Sequence, residues 1–158
     1  MTKIQSILVP VDFSPSSRAA LDHAMYLAGK FGSKVTVLHS WDLPGYLHPD
    51  LTVWSGDVSA SLMEHARKDA EQCMVEFLDD AKLSDDERVS SRVVSGAPYS
   101  SVIAAIEEGG YDLVIMGTHG RTGVAHLVMG SVAEKVVRHC PCPVMTVRAA
   151  EAPAEAES

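Results

Sequence analysis

Apolar positions along this chain follow two rhythms. Short, nearly continuous apolar runs mark buried strands, and longer stretches with apolar residues three and four apart mark amphipathic helices. Ile7–Asp12 is the first run, and it alternates too little for a strand wet on one face. Ser14 then supplies an N-cap and Pro15 suits the first helical position. Ala20, Ala24, Leu27 and Phe31 fall on one helical face, and Gly32 is placed to stop that helix. Lys34–Ser40 reads as the second strand, through Val35, Val37 and Leu38. The polar, Pro- and Gly-containing stretch Trp41–Ser59 reads as an ordered loop or lid. Leu62, Ala66, Ala70, Cys73, Phe77 and Ala81 then form the stripe of a second helix.

The same alternation continues. Arg88–Val94 is the third strand, Gly96 a turn, and Pro98 opens a helix through Val102, Ile103 and Ile106 that Gly109-Gly110 ends. Leu113–Met116 is strongly apolar and reads as a central strand. A glycine-rich loop, Gly117–Gly130, leads into a helix from Ser131 to His139 carrying Val132, Val136 and Val137, and Pro143–Arg148 is the last strand. Strands alternating with helices imply a parallel α/β sheet covered on both faces. The expected organisation is one domain over residues 1–149 and a disordered Ala/Glu/Pro-rich tail over 150–158. In such sheets ligands bind outside the carboxyl ends of the strands, where the strand order reverses.

Composition narrows the partners. The formal net charge is −8, and Glu151, Glu155 and Glu157 of the tail supply three of those charges. An acidic body is a poor non-specific partner for nucleic acid or an anionic membrane, so any phosphate ligand has to be held by local geometry. Neither a signal-peptide pattern nor a run of 18 apolar residues is seen. The odd cysteine count, without a C-x-x-C pair, suits a reducing cytoplasm. In Cys140-Pro-Cys142 the intervening proline and expected burial beside the last strand favour structural thiols over a redox pair. His23, His48, His65 and His126 share no spacing with acids or cysteines, so a metal site is not expected.

The chemistry concentrates in Gly117-Thr-His-Gly120-Arg-Thr-Gly-Val-Ala-His-Leu-Val-Met-Gly130-Ser131. Glycines allow backbone to approach a ligand without an intervening Cβ, and Gly130-Ser131 would set free N–H groups at a helix N-terminus, where the dipole favours phosphate. No G-x-x-x-x-G-K-[ST] loop occurs, and Asp12-Phe-Ser-Pro follows the first strand where a dinucleotide fingerprint would need G-x-G-x-x-G. Asp12 is either a strand-end turn residue or a ligand contact. His119 is equally a structural loop histidine or a site residue.

These residues resemble the universal stress proteins, specifically their ATP-binding branch. The likeness rests on Ile7-Leu-Val-Pro10-Val-Asp12-Phe-Ser, Val37-Leu-His39, Asp112-Leu-Val-Ile-Met-Gly-Thr-His-Gly120, Gly130-Ser-Val-Ala-Glu-Lys-Val and Cys140-Pro-Cys-Pro-Val. The family's signature G-x2-G-x9-G-[ST] is complete here. The resemblance implies an open Rossmann-like sheet of five parallel strands in the order 3-2-1-4-5, with ATP, with or without Mg²⁺, at the switch point. It places Pro10, Val11 and Ser40 against the adenine and Asp12 at the ribose. Met116, Gly117, His119 and Gly120 would follow the nucleotide, and Gly130, Ser131 and Val132 would bind its phosphates. Ser40 stands where the family often has an aliphatic residue, and Ala133 where some members carry a hydroxyl. The resemblance further implies a homodimer through the last strand, Val144–Arg148. The function expected is that of a cytoplasmic ATP-binding stress-response or regulatory protein. A slow ATPase or phosphotransferase and a nucleotide-free dimeric scaffold are the alternatives; the chain shows no convincing general base, Walker lysine or carboxylate pair for Mg²⁺.

Overall fold

The computed structural model describes residues 3–42, 56–119 and 129–150, with side chains of 56–61 excepted. Within them the elements run β1 (Ser6–Pro10), α1 (Pro15–Phe31), β2 (Lys34–Trp41), α2 (Gly56–Asp80), β3 (Val89–Ser95), α3 (Pro98–Gly109), β4 (Leu113–Gly117), α4 (Ser131–His139) and β5 (Val144–Val147). The strands form one parallel sheet in the order β3-β2-β1-β4-β5.

The pleat of β1 explains how the sheet is covered. Ile7 and Val9 face one side and join Ala20, Leu21, Ala24 and Ala28 of α1 and Met74, Phe77 and Leu78 of α2. Leu8 faces the other side, with Val102 and Ile106 of α3 and Ala133 and Val136 of α4. Strands buried on both faces cannot alternate, which is why β1 and β4 read as continuous apolar runs. Asp112, directly before β4, tethers the start of the neighbouring β1: Oδ2 accepts from the Gln5 N–H at 2.8 Å, the Ser6 N–H at 3.0 Å and the Ser6 hydroxyl at 3.3 Å.

Local signals set the helix ends. Ser14 Oγ accepts from the Ser17 N–H at 3.2 Å, and Gly32 stops α1 in the left-handed region at φ 70°. Several expected positions differ. Phe31 is 47% exposed, and Ala20, Leu21, Ala24 and Ala28 form the buried face of α1 instead. Leu62 is 40% and Val137 46% exposed; α4 covers the sheet through Ala133 and Val136, and Val137 lies about 100° round the helix from Val136. The stretch read as a loop, Trp41–Ser59, is shorter at both ends, since Trp41 still pairs with Ser95 and α2 starts at Gly56. Its short polar residues hid the first turn of that helix. The rest of the stretch and the tail 151–158 lie outside the described residues. Among the described residues no helix is long and apolar enough to cross a membrane.

Candidate functional site

From β1 the chain passes through α1 to β2 on one side, and from β4 through α4 to β5 on the other. The adjacent carboxyl ends of β1 and β4 are therefore the switch point, and a cavity of about 270 Å³ opens there. Its lining comes from the ends of β1, β2 and β4 and the starts of α1, α3 and α4. Pro10, Val11, Asp12, Ser40, Met116, Gly117, His119, Gly130, Ser131 and Val132 all line it. Gly120 lies outside the described residues.

One part of the wall is apolar: Pro10, Leu38, Val102 and Met116, the last three no more than 5% exposed. The other part is polar, with Asp12, Ser17, Ser40, Thr118 and Ser131. Asp12 serves the turn as well as the cavity. Its Oδ1 accepts from the Ser14 N–H at 3.0 Å and from the Ser17 hydroxyl at 2.8 Å. The carboxylate is thus oriented by the first turn of α1, as the strand-end turn reading expects, while the residue also lines the cavity.

The next residue, Phe13, has φ 64°, a conformation costly for a bulky side chain. Packing holds it there, with its ring 4.3 Å from that of His39 and 5.4 Å from that of Phe77. His39 in turn contacts the Val11 carbonyl through Nδ1 at 2.9 Å; a carbonyl only accepts, so Nδ1 carries the proton. A strained turn clamped from two sides fixes where Asp12 points.

Thr118 organises the glycine loop. Its N–H donates to the Val147 carbonyl at 2.9 Å, and its own carbonyl accepts from the Gly130 N–H at 2.7 Å. The second bond ties the start of the loop to its end, directly before α4. The Thr118 hydroxyl lies 2.9 Å from His119 Nδ1, and His119 Nε2 is a buried polar atom without a hydrogen-bond partner among the described residues. Such an atom calls for a ligand or solvent partner.

Gly130 is the N-cap of α4, and no side chain caps this helix. The first-turn N–H groups of Ser131, Val132 and Ala133 therefore lack the side-chain acceptor that α1 has, and these residues line the cavity. Glu134, the acid in that first turn, is exposed and paired with Arg138 at 2.9 Å.

Gly117 lines the cavity and also has a packing role. A Cβ there would meet Ser16 Cβ at 2.7 Å, Ser16 C at 2.8 Å and Ser17 N at 3.0 Å. The residue lets β4 pass directly under the start of α1. Lining residues missed by the sequence reading include Ser17, Leu38, Pro98, Val102 and Thr118. Leu38 was implied by Ser40, two positions on along the same strand face, and Val102 lies one turn inside α3 from Pro98. Thr118 carried no signal, because its work is done largely by its backbone.

Fold and cavity define an open, doubly wound α/β protein with a cavity at its switch point. Residues 3–148 match the sequence model of the universal stress protein family, and the chain belongs to that family. A universal stress protein of Methanocaldococcus jannaschii is 26% identical over 145 residues, covering 91% of this chain and 82% of that protein. Among solved structures, the universal stress protein UspA from Lactobacillus plantarum superposes with a TM-score of 0.77 at 24% identity, covering 94% of this chain and 100% of that one. A universal stress protein in complex with cAMP superposes with a TM-score of 0.64 at 23% identity, covering 94% of this chain and 100% of that one. The likeness to these two structures is one of fold.

Proposed function

We propose that the cavity holds an adenine nucleotide, ATP foremost, and that the protein is a nucleotide-binding regulator of the universal stress family rather than a catalyst. The observation that carries this reading is the pairing, in one cavity, of an apolar slot with an uncapped helix start. Pro10, Leu38, Val102 and Met116 suit a flat heterocycle, and the N-terminus of α4 at Gly130-Ser131 suits phosphate. Asp12, oriented by Ser14 and Ser17, stands where a ribose hydroxyl would donate to it. The unpartnered His119 Nε2 gives the ligand, or water around it, a further polar partner.

The complete G-x2-G-x9-G-[ST] signature and the cAMP complex of a neighbour of the same fold support an adenine nucleotide over other phosphate ligands. Mg²⁺ would accompany ATP through the phosphates, with Asp12 the carboxylate in the lining. A second copy is proposed to pair along β5, an edge strand whose Met145 is 37% exposed. Bound nucleotide would bias the glycine loop and so the choice of protein partner.

The test is extraction of nucleotide from protein purified without added ATP, identified by mass spectrometry, with calorimetric titration of ATP, ADP and cAMP into stripped protein. Recovered ATP and micromolar ATP binding are expected. A nucleotide-free protein that releases no heat with any of the three overturns the reading.

A further inference from the structure

Cys140 and Cys142 flank Pro141 in the short link between α4 and β5, and their Sγ atoms lie 3.4 Å apart. Backbone anchors fix both ends of this link. The Cys140 N–H donates to the Val136 carbonyl at the end of α4, and the Pro143 carbonyl accepts from the Val114 N–H of β4 at 3.0 Å. Pro141 locks its own φ between them. The thiols are thus held side by side by the fold. Both pack against the α3/α4 side of the core yet remain partly exposed, so the burial expected for structural thiols is incomplete.

Two thiols in van der Waals contact permit chemistry that one does not. A disulfide spans about 2.05 Å between sulfurs, so roughly 1.4 Å of approach closes the gap. A structural zinc site needs four ligands, and among the described residues no group of three or more His, Cys, Asp or Glu side chains is arranged to hold a metal ion. We propose that Cys140 and Cys142 form a reversible dithiol–disulfide site, oxidised by hydrogen peroxide.

Burial first, and then the hydrogen bond with Cys140, pushes the Cys142 thiol up to about 12, which keeps it protonated near neutrality. Attack by either sulfur gives the same product, and Cys140 serves here as the attacking sulfur. Its thiolate forms an S–O bond as the O–O bond breaks, and the departing oxygen takes up protons and leaves as water. The resulting Cys140 sulfenic acid is attacked by Cys142 sulfur: the S–S bond forms, the S–O bond breaks, and hydroxide leaves as water with the Cys142 proton. Two thiols and one peroxide give one disulfide and two waters. Because the bridge encloses a single intervening residue, it gains little from restricting the unfolded chain, and exchange with a small thiol reverses it.

The test uses the full chain, reduced, desalted, treated with equimolar hydrogen peroxide and alkylated with iodoacetamide. The expected result is a loss of two of the three alkylatable thiols. The tryptic fragment from His139 to Arg148 should be lighter by two hydrogens and recover both alkyl groups after dithiothreitol. Cys73, on α2 at the opposite face of the sheet, serves as the internal control and should remain alkylated. Cys140→Ser and Cys142→Ser should each abolish the mass loss. Sulfinic or sulfonic products on this fragment, a bridge between chains, or oxidation no faster than that of Cys73 overturns the proposal.

Discussion

Gly117→Ala separates packing from ligand contact at the most crowded point of the site. The added methyl would lie 2.7 Å from Ser16 Cβ, 2.8 Å from Ser16 C and 3.0 Å from Ser17 N. Two of those atoms belong to the backbone in the first turn of α1, so no rotamer change relieves the clash; the helix start has to move off the sheet. Overpacking of this kind costs about 1–3 kcal/mol. In a domain of this size each kcal/mol shifts the melting midpoint by roughly 2–4 °C, so Gly117→Ala should melt roughly 2–12 °C below wild type. Urea titration should give a lower midpoint at unchanged slope. Nucleotide binding should weaken at the same time, because Ser17 holds the Asp12 carboxylate and moves with the helix. An unchanged urea midpoint beside a lost affinity would refute the packing argument and leave ligand approach as the role of Gly117.

Three further outcomes follow from other parts of the molecule. Asp112 is held below the ordinary carboxylate range, first by the Gln5 N–H and then by the Ser6 N–H. Its contribution is therefore present above about pH 4 and lost as the pH falls through its lower folded value. Asp112→Asn should lower the urea midpoint at pH 7 and converge on wild type in strong acid; a constant difference across the range would contradict this. Met145→Lys on the exposed edge of β5 should sediment as a monomer at micromolar concentration while wild type sediments as a dimer, and identical coefficients would remove β5 as the pairing edge. Truncating Leu8, fully buried between β1 and α3/α4, to alanine should cost about 2–5 kcal/mol by urea titration, and a loss below 1 kcal/mol would mean this face of the sheet collapses freely.

Much of the fold was written in the apolar rhythm. Every strand and helix of the described residues had been located, because buried runs and helical stripes depend on local sequence alone. The errors fell where tertiary position overrides pattern. Phe31 and Val137 are apolar at helical spacing, yet both are exposed. The first turn of α2 uses short polar residues that read equally well as loop. Strand order followed from the family likeness; alternation alone yields a parallel sheet without an order. At the site, residues carrying unusual chemistry or glycine were visible in sequence. Those acting through backbone geometry were not, as with Thr118 closing the loop on Gly130 and Phe13 strained beside Asp12.

The acidity of the chain raises a sharper question: what holds phosphate at this cavity when the overall field opposes it. Three helices begin at the cavity, and they are not equivalent donors. In α1 the N-cap Ser14 already accepts from the Ser17 N–H, and Pro15 has no N–H to offer. In α3 the first position is Pro98, again without a donor. Neither α3 nor α4 has a side-chain cap, but α4 opens with glycine and serine and so keeps the first-position N–H that α3 lacks. Ser131→Pro tests this at a single atom, since proline suits the first helical position and Gly130 is already extended at ψ 150°, as a residue before proline must be. Ser131→Ala removes the hydroxyl and keeps the N–H. A hydrogen bond to a charged group contributes about 1.5–3 kcal/mol, so the proline variant should bind ATP at least about tenfold more weakly than the alanine variant at equal stability. Equal affinities for the two would mean that the start of α4 does not hold the phosphates.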